Sequence, residues 1–212
     1  TVLLNSELPL KKISNDNTNF LRPKVQIKFS PTNGKDISST GSRLSYDSLF
    51  SSNRIGRSDM VEEGKSLTLG LEYEKINLTN EKLIEFNIGS VLKDKKNSSM
   101  PSKSKLDQTR SDIIGNFVYN PNSVVKLEYD FSYDRDLDFS NYDAISAEFG
   151  ENKFITSFDY ITENHELGNS ETIKNNTLIN FTDEHSLQFE TTKDLKSDFT
   201  EVINFDYGYN TD

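Results

Sequence analysis

Apolar and polar residues alternate with a period of two along most of this chain, most cleanly over 125–133. Val125, Leu127, Tyr129, Phe131 and Tyr133 fall on one face there, and Lys126, Glu128, Asp130 and Ser132 on the other. That is the period of a β-strand with two unlike faces. Leu67, Leu69, Leu71 and Tyr73 repeat the pattern against Thr68, Gly70, Glu72 and Glu74. The same reading predicts strands over 20–29, 66–76, 82–92, 111–119, 124–133, 139–149, 153–162, 171–181, 185–193 and 199–210.

The connections between these strands are short and long by turns. Asn77 to Glu81, Asn120 to Ser123, Gly150 to Asn152 and Thr182 to Glu184 are tight and built from hairpin-turn residues. Ser30 to Lys65, Lys93 to Arg110, Asp134 to Asp138, Glu163 to Ser170 and Asp194 to Asp198 are the longer connections. A soluble meander has no reason to gather its long loops at one end, whereas outer-membrane barrels have short periplasmic turns and long outer loops. Strand length agrees. Val125 to Tyr133 makes eight steps of roughly 3.3 Å, which a tilt of about 40° reduces to roughly 20 Å, near the apolar band of about 25 Å in such barrels. The predicted fold is all-β, an antiparallel up-and-down transmembrane barrel of which about ten sequential strands are present. Residues 1–212 are read as a fragment of one barrel domain, since the chain starts without Met or a signal-type apolar core.

Composition narrows the alternatives. The longest apolar runs are three residues, too short for a membrane helix. Yet 14 Phe and 9 Tyr speak against a disordered chain. A mean hydropathy of -0.67 is compatible with a barrel, whose strands need apolar residues only at every second position. The formal net charge of -10, with dispersed basic residues, disfavours nucleic acid as a partner. No cysteine is present, so no disulfide or thiolate metal site arises within this stretch.

The most distinctive stretch is DSLFSSNRIGRSDMVEEGKSLTLGLEY, from Asp47 to Tyr73. Its first half is too long for an ordinary loop and carries Leu49, Phe50, Ile55, Met60 and Val61, which call for cover. Leu49-Phe50, Asn53-Arg54, Asp59, Val61-Glu62, Gly64, Gly70-Leu71 and Tyr73 resemble, in order and spacing, the LptD (OstA) family of outer-membrane proteins that assemble lipopolysaccharide. Ile55 and Met60 stand where that family has an aromatic residue and an arginine. Arg110 to Gly115, Asn120-Pro121, Phe149-Gly150 and the late segment from Leu195 to Asp212 extend the resemblance over roughly residues 20 to 212.

What the resemblance implies is transport without covalent chemistry. Lipopolysaccharide arrives from a periplasmic bridge, leaves through a lateral opening and enters the outer leaflet of the cell outer membrane, with an LptE-like lipoprotein plugging the barrel. Leu49, Phe50, Asn53, Arg54, Asp59, Glu62 and Gly64 become the candidate luminal or gating segment, folded against the barrel interior with Gly56 and Gly64 supplying bends, either to line or gate the lipopolysaccharide path or only to brace the wall. A porin or receptor channel would share the loop alternation, and a soluble β-rich surface module would instead bury its apolar faces between two sheets.

Catalysis and cofactors find little support in the residues. His185 and Ser186 are adjacent and so point to opposite faces of a strand, and His165 beside Glu166 lies in a Gly- and Asn-containing loop. Asp130, Asp134, Asp136 and Asp138 could offer oxygens to a divalent cation, but they lack a fixed ligand spacing and read as a solvated acidic loop. No catalytic, cofactor-binding or metal-binding residues are assigned.

Overall fold

The computed structural model describes residues 1–31, 35–55, 62–164 and 168–210. Gly56, Asp59, Met60, Val61, His165 and Glu166, named above, lie outside the described residues. All ten predicted strands are present in one antiparallel sheet: β3 (Asn17–Ser30), β4 (Gly64–Asn77), β5 (Lys82–Lys93), β6 (Ile113–Asn122), β7 (Val125–Tyr133), β8 (Ser140–Glu151), β9 (Phe154–Glu163), β10 (Ser170–Asn180), β11 (His185–Asp194) and β12 (Phe199–Tyr209). Two short strands precede them, β1 (Val2–Glu7) and β2 (Leu10–Ile13), both paired with β3. The sequence reading passed over these because Pro9 interrupts the alternation, and Pro has no N–H to give a ladder. Hydrogen-bonded neighbours run β1-β3-β4-β5-β6-β7-β8-β9-β10-β11-β12, with β2 beside β3. Apart from the β1/β2 interruption this is up-and-down order.

The short turns close with their own side chains. Asn77 Oδ1 accepts the backbone N–H groups of Thr79 and Glu81, and Asn122 Oδ1 those of Val124 and Val125. Thr182 Oγ1 does the same for Glu184 and His185. These are the local bonds that favour Asn and Thr in turns.

The chain divides into two compact units, Thr1–Phe117 with Phe131–Asn141, and Val118–Asp130 with Tyr142–Asp212. In the first unit burial is the reverse of a water-soluble sheet. Along β3, Val25, Ile27 and Phe29 are between 37% and 52% exposed, whereas Gln26, Lys28 and Ser30 are 1% exposed or less. The described residues of the long segments before β4 and between β5 and β6 cover the polar face. Between them they build a small core from Ile37, Leu44, α1 (Tyr46–Leu49), Met100 and Leu106 against Val91 of β5 and Ile114 of β6. The Ile37 N–H bonds the Ser99 carbonyl at 2.8 Å and the Leu44 N–H bonds Ser104 Oγ at 3.1 Å, joining the two segments.

In the second unit the register sets Leu187 opposite Tyr207, Phe189 opposite Phe205 and Thr191 opposite Ile203. Gln188 faces Asp206 and Glu190 faces Asn204 on the other side. The predicted apolar residues of β11 and β12 thus share one face, and Phe189, Ile203, Phe205 and Tyr207 are exposed on it.

Candidate functional site

Gly64 opens β4 with φ of 93°, a left-handed value that a side chain would strain, and pairs with Ser30 at the end of β3. That bend brings Glu62 onto the polar face of the sheet. Lys28 of β3 reaches it at 3.2 Å, Arg54 Nε at 3.0 Å and Lys93 of β5 at 2.9 Å, and all four side chains are buried. One carboxylate therefore joins two strands and the covering segment.

The cations are held from behind as well. Arg54 Nη1 donates to Thr68 Oγ1 at 3.3 Å and Nη2 to Ser66 Oγ at 3.1 Å, both on β4. Lys28 Nζ donates to the Ser52 carbonyl at 3.0 Å, and Lys93 Nζ to that of Leu106 in the second covering segment. Burial by itself would raise the Glu62 carboxyl. Arg54, Lys93 and Lys28 outweigh it and hold the pKa at about 2. Burial lowers the Arg54 pKa, and Glu62 opposes that shift.

Beside this hub, α1 presses its last residues onto the wall. Leu49 is fully buried, and Phe50 meets the Tyr46 ring edge-on at 6.1 Å between centroids. Lys24 Nζ lies 4.9 Å from the centre of the Phe50 ring, and Gln26 Nε2 donates to the Phe50 carbonyl. Next to α1 a charged ladder continues along the strands. Arg22 bonds Glu74 at 2.5 Å, Lys24 bonds Glu72 at 2.8 Å, and Lys82 bridges Glu74 and Glu85, each at 2.8 Å.

Of the predicted segment, Leu49, Arg54 and Glu62 are buried on the sheet and Phe50 is half-buried against it. Asn53 is half-buried, its N–H bonded to Ser51 Oγ at 3.2 Å, and Gly64 forms the bend. Asp59 lies outside the described residues. The sequence reading missed Lys28, Lys93 and Tyr46, and it treated the segment after Lys93 as an open loop. Gly70 and Gly89 were the available signal, because glycine inside a strand marks close approach of another group.

Asp112 is a second buried acid, which the sequence reading placed in the Arg110 to Gly115 stretch of the resemblance without giving it a site role. Its Oδ2 accepts from Ser132 Oγ at 2.9 Å and Asn141 Nδ2 at 2.8 Å, and its N–H bonds the Ser104 carbonyl at 3.0 Å. It ties the start of β6 to β7, β8 and the second covering segment. Burial raises its pKa, against the hydrogen bonds from Asn141 and Ser132.

The other sequence candidates are engaged locally. Asp134 Oδ1 accepts the Asp138 N–H at 2.9 Å, and Arg135 pairs with Asp136 at 3.2 Å. The His185 ring stacks on Tyr209 and Tyr207, and its Nδ1 lies 2.6 Å from Tyr207 Oη. Ser186 pairs with Gly208 on the opposite face.

A family model described as LptD, LPS transport system D, matches residues 4–194. That span holds the covering segments, the Glu62 hub and the strands through β11. No curated protein gives a significant match.

Proposed function

Because this chain belongs to the LptD family, LPS transport system D, we propose that it forms part of the wall of one outer-membrane barrel domain that assembles lipopolysaccharide into the outer leaflet. The observation that carries this reading is the inverted burial of β3, with Val25, Ile27 and Phe29 outward and Gln26, Lys28 and Ser30 covered. Hydrocarbon accepts such an outer face, and water does not favour it. In this reading the polar faces of the strands look onto an aqueous lumen that admits a sugar headgroup. The family's lipoprotein plug and periplasmic bridge are the partners this reading brings with it, and no covalent chemistry is required.

The described part of this segment, α1 through Ile55 together with Glu62, lies on the luminal side of the wall in this reading. Arg54 and Glu62 brace β3, β4 and β5, and the exposed Asp47 and half-buried Phe50 face the passing headgroup. Replacing Leu49 with Asp and Phe50 with Ser unseats α1 and leaves the strands' own sequence intact. Surface lipopolysaccharide is then measured in cells that depend on the variant, alongside heat-modifiable migration as the readout of barrel assembly. Lost surface lipopolysaccharide with normal assembly supports a role in the path, and failed assembly supports bracing alone. Unchanged levels of both overturn the role assigned to this segment.

A further inference from the structure

A cavity of about 260 Å³ lies between α1 and the polar faces of β3, β4 and β5. Lys24, Tyr46, Asp47, Phe50, Glu72 and Asn87 are among the residues that line it. Four carboxylates border it, since Glu74 and Glu85 join Asp47 and Glu72, but three of the four are already tied to cations. Arg22, Lys24 and Lys82 hold Glu72, Glu74 and Glu85, and of these four carboxylates Asp47 alone has no such partner among the described residues. The pairs fix the carboxylate oxygens in place and nearly cancel their charge.

Such a wall suits a ligand that donates hydrogen bonds without bringing charge of its own. Carboxylates use up to four lone-pair directions, so an oxygen already bonded to one cation still accepts from a hydroxyl. Glu72 Oε1 receives Lys24 and Tyr46 Oη, which leaves its second oxygen with only Arg22 at 3.6 Å. Asn87 is almost fully buried and aligned by its own bond to Glu85 Oε1 at 2.8 Å, so its amide is held without rotamer freedom. The half-buried Phe50 ring adds an apolar flank next to these groups. Hydroxyls meeting fixed acceptors, with C–H groups lying against an aromatic ring, is the chemistry of saccharide recognition. A phosphate or sugar acid would find every bordering cation already paired and would meet the uncompensated Asp47 at the rim.

We propose that this cavity is a subsite for one uncharged, hydroxyl-rich sugar ring of the transported glycolipid. The proposal rests on the transport reading above and adds which part of the headgroup is held, and where.

The test places a photoreactive benzoylphenylalanine at Asp47, which is exposed at the cavity rim, and separately at Phe20, whose alternation puts it on the same face of β3 outside the cavity. The intact membrane protein is illuminated with lipopolysaccharide carrying its full sugar chain, and with the same lipid cut back to its phosphorylated anchor. At Asp47 the sugar-bearing lipid crosslinks about fivefold more than the anchor, the worth of one net hydrogen bond, and Asn87→Leu removes that preference. Equal yields from the two lipids, or a preference untouched by Asn87→Leu in protein that still migrates as a folded barrel, overturn the subsite. Crosslinks at Phe20 but none at Asp47 also overturn it and leave the transport reading standing. No crosslink at either position counts against both.

Discussion

Gly70 and Gly89 face each other in register across β4 and β5, and the side chains of Phe50 and Leu49 fill the space that a Cβ on each would need. A Cβ on Gly70 would come within 2.6 Å of the Phe50 ring, and one on Gly89 within 2.4 Å of Leu49 Cδ2 and 2.7 Å of the Leu69 carbonyl oxygen. The glycine pair is a socket in the wall for α1.

Substitution in that socket should therefore act on α1 more than on the strands. Gly89→Val is expected to cost about 1–3 kcal/mol, the usual penalty of overpacking, and to expose the covering segment to protease in the folded protein. Gly70→Ala meets a ring edge that can shift and should cost less. Combining Gly89→Ala with Leu49→Ala is expected to cost less than the sum of the two changes, because the added methyl occupies room that the deletion opens. Thermal unfolding in detergent measures all three, and strict additivity of the pair would refute the socket.

The outward face of β4 gives a test of the membrane reading. Leu69 is exposed there, opposite Val25. Arginine at position 69 is expected to cost about 2–4 kcal/mol when that position sits near the bilayer midplane, and less nearer an interface. Folding into vesicles by urea titration measures it. In a sheet facing water the same change would fall within about ±0.5 kcal/mol.

The strands were legible because alternation is a property of consecutive residues. Val125 to Tyr133, Leu67 to Tyr73 and the β11 and β12 faces needed nothing beyond the sequence. The covering segment was legible as a place: Leu49 and Phe50 had to be buried somewhere, and Gly64 marked its end. Its partners were not. Lys28 and Lys93 look like any polar-face residues, and they reach Glu62 only because β3, β4 and β5 lie side by side. Met100 and Leu106 were hidden for a related reason, since they sit singly among Lys, Ser and Asn and gain a core only from the other covering segment.

Asp112 should reveal itself through its donors. Asp112→Ala leaves Ser132 Oγ and Asn141 Nδ2 without their acceptor, at about 1–3 kcal/mol for each group left unsatisfied. Asp112→Asn keeps an acceptor oxygen and should cost less. Because burial raises the folded pKa above the ordinary 3.8, the aspartate's linkage contribution is full below that ordinary value. It is lost as pH rises through the folded one. Wild type should therefore lose ground to Asp112→Asn on that rise, measured as the difference in unfolding midpoint across the pH series.

Glu62 should show the opposite sign. Its folded pKa of about 2 lies below the ordinary 4.5, so its contribution is present above pH 4.5 and disappears as pH falls toward 2. At neutral pH, Glu62→Gln leaves Lys28, Arg54 and Lys93 buried without their shared counter-charge. Removing one partner of a buried ion pair costs about 3–5 kcal/mol, and the neutral amide still fills the site. The wild-type protein is expected to lose most of that advantage over Glu62→Gln between pH 4.5 and 2, so that the two unfolding curves converge in acid. Salt should change the difference little, since buried pairs are screened much less than exposed ones. A difference that stays constant through this window would mean that the carboxylate acts by shape and packing, and the hub would lose its electrostatic role.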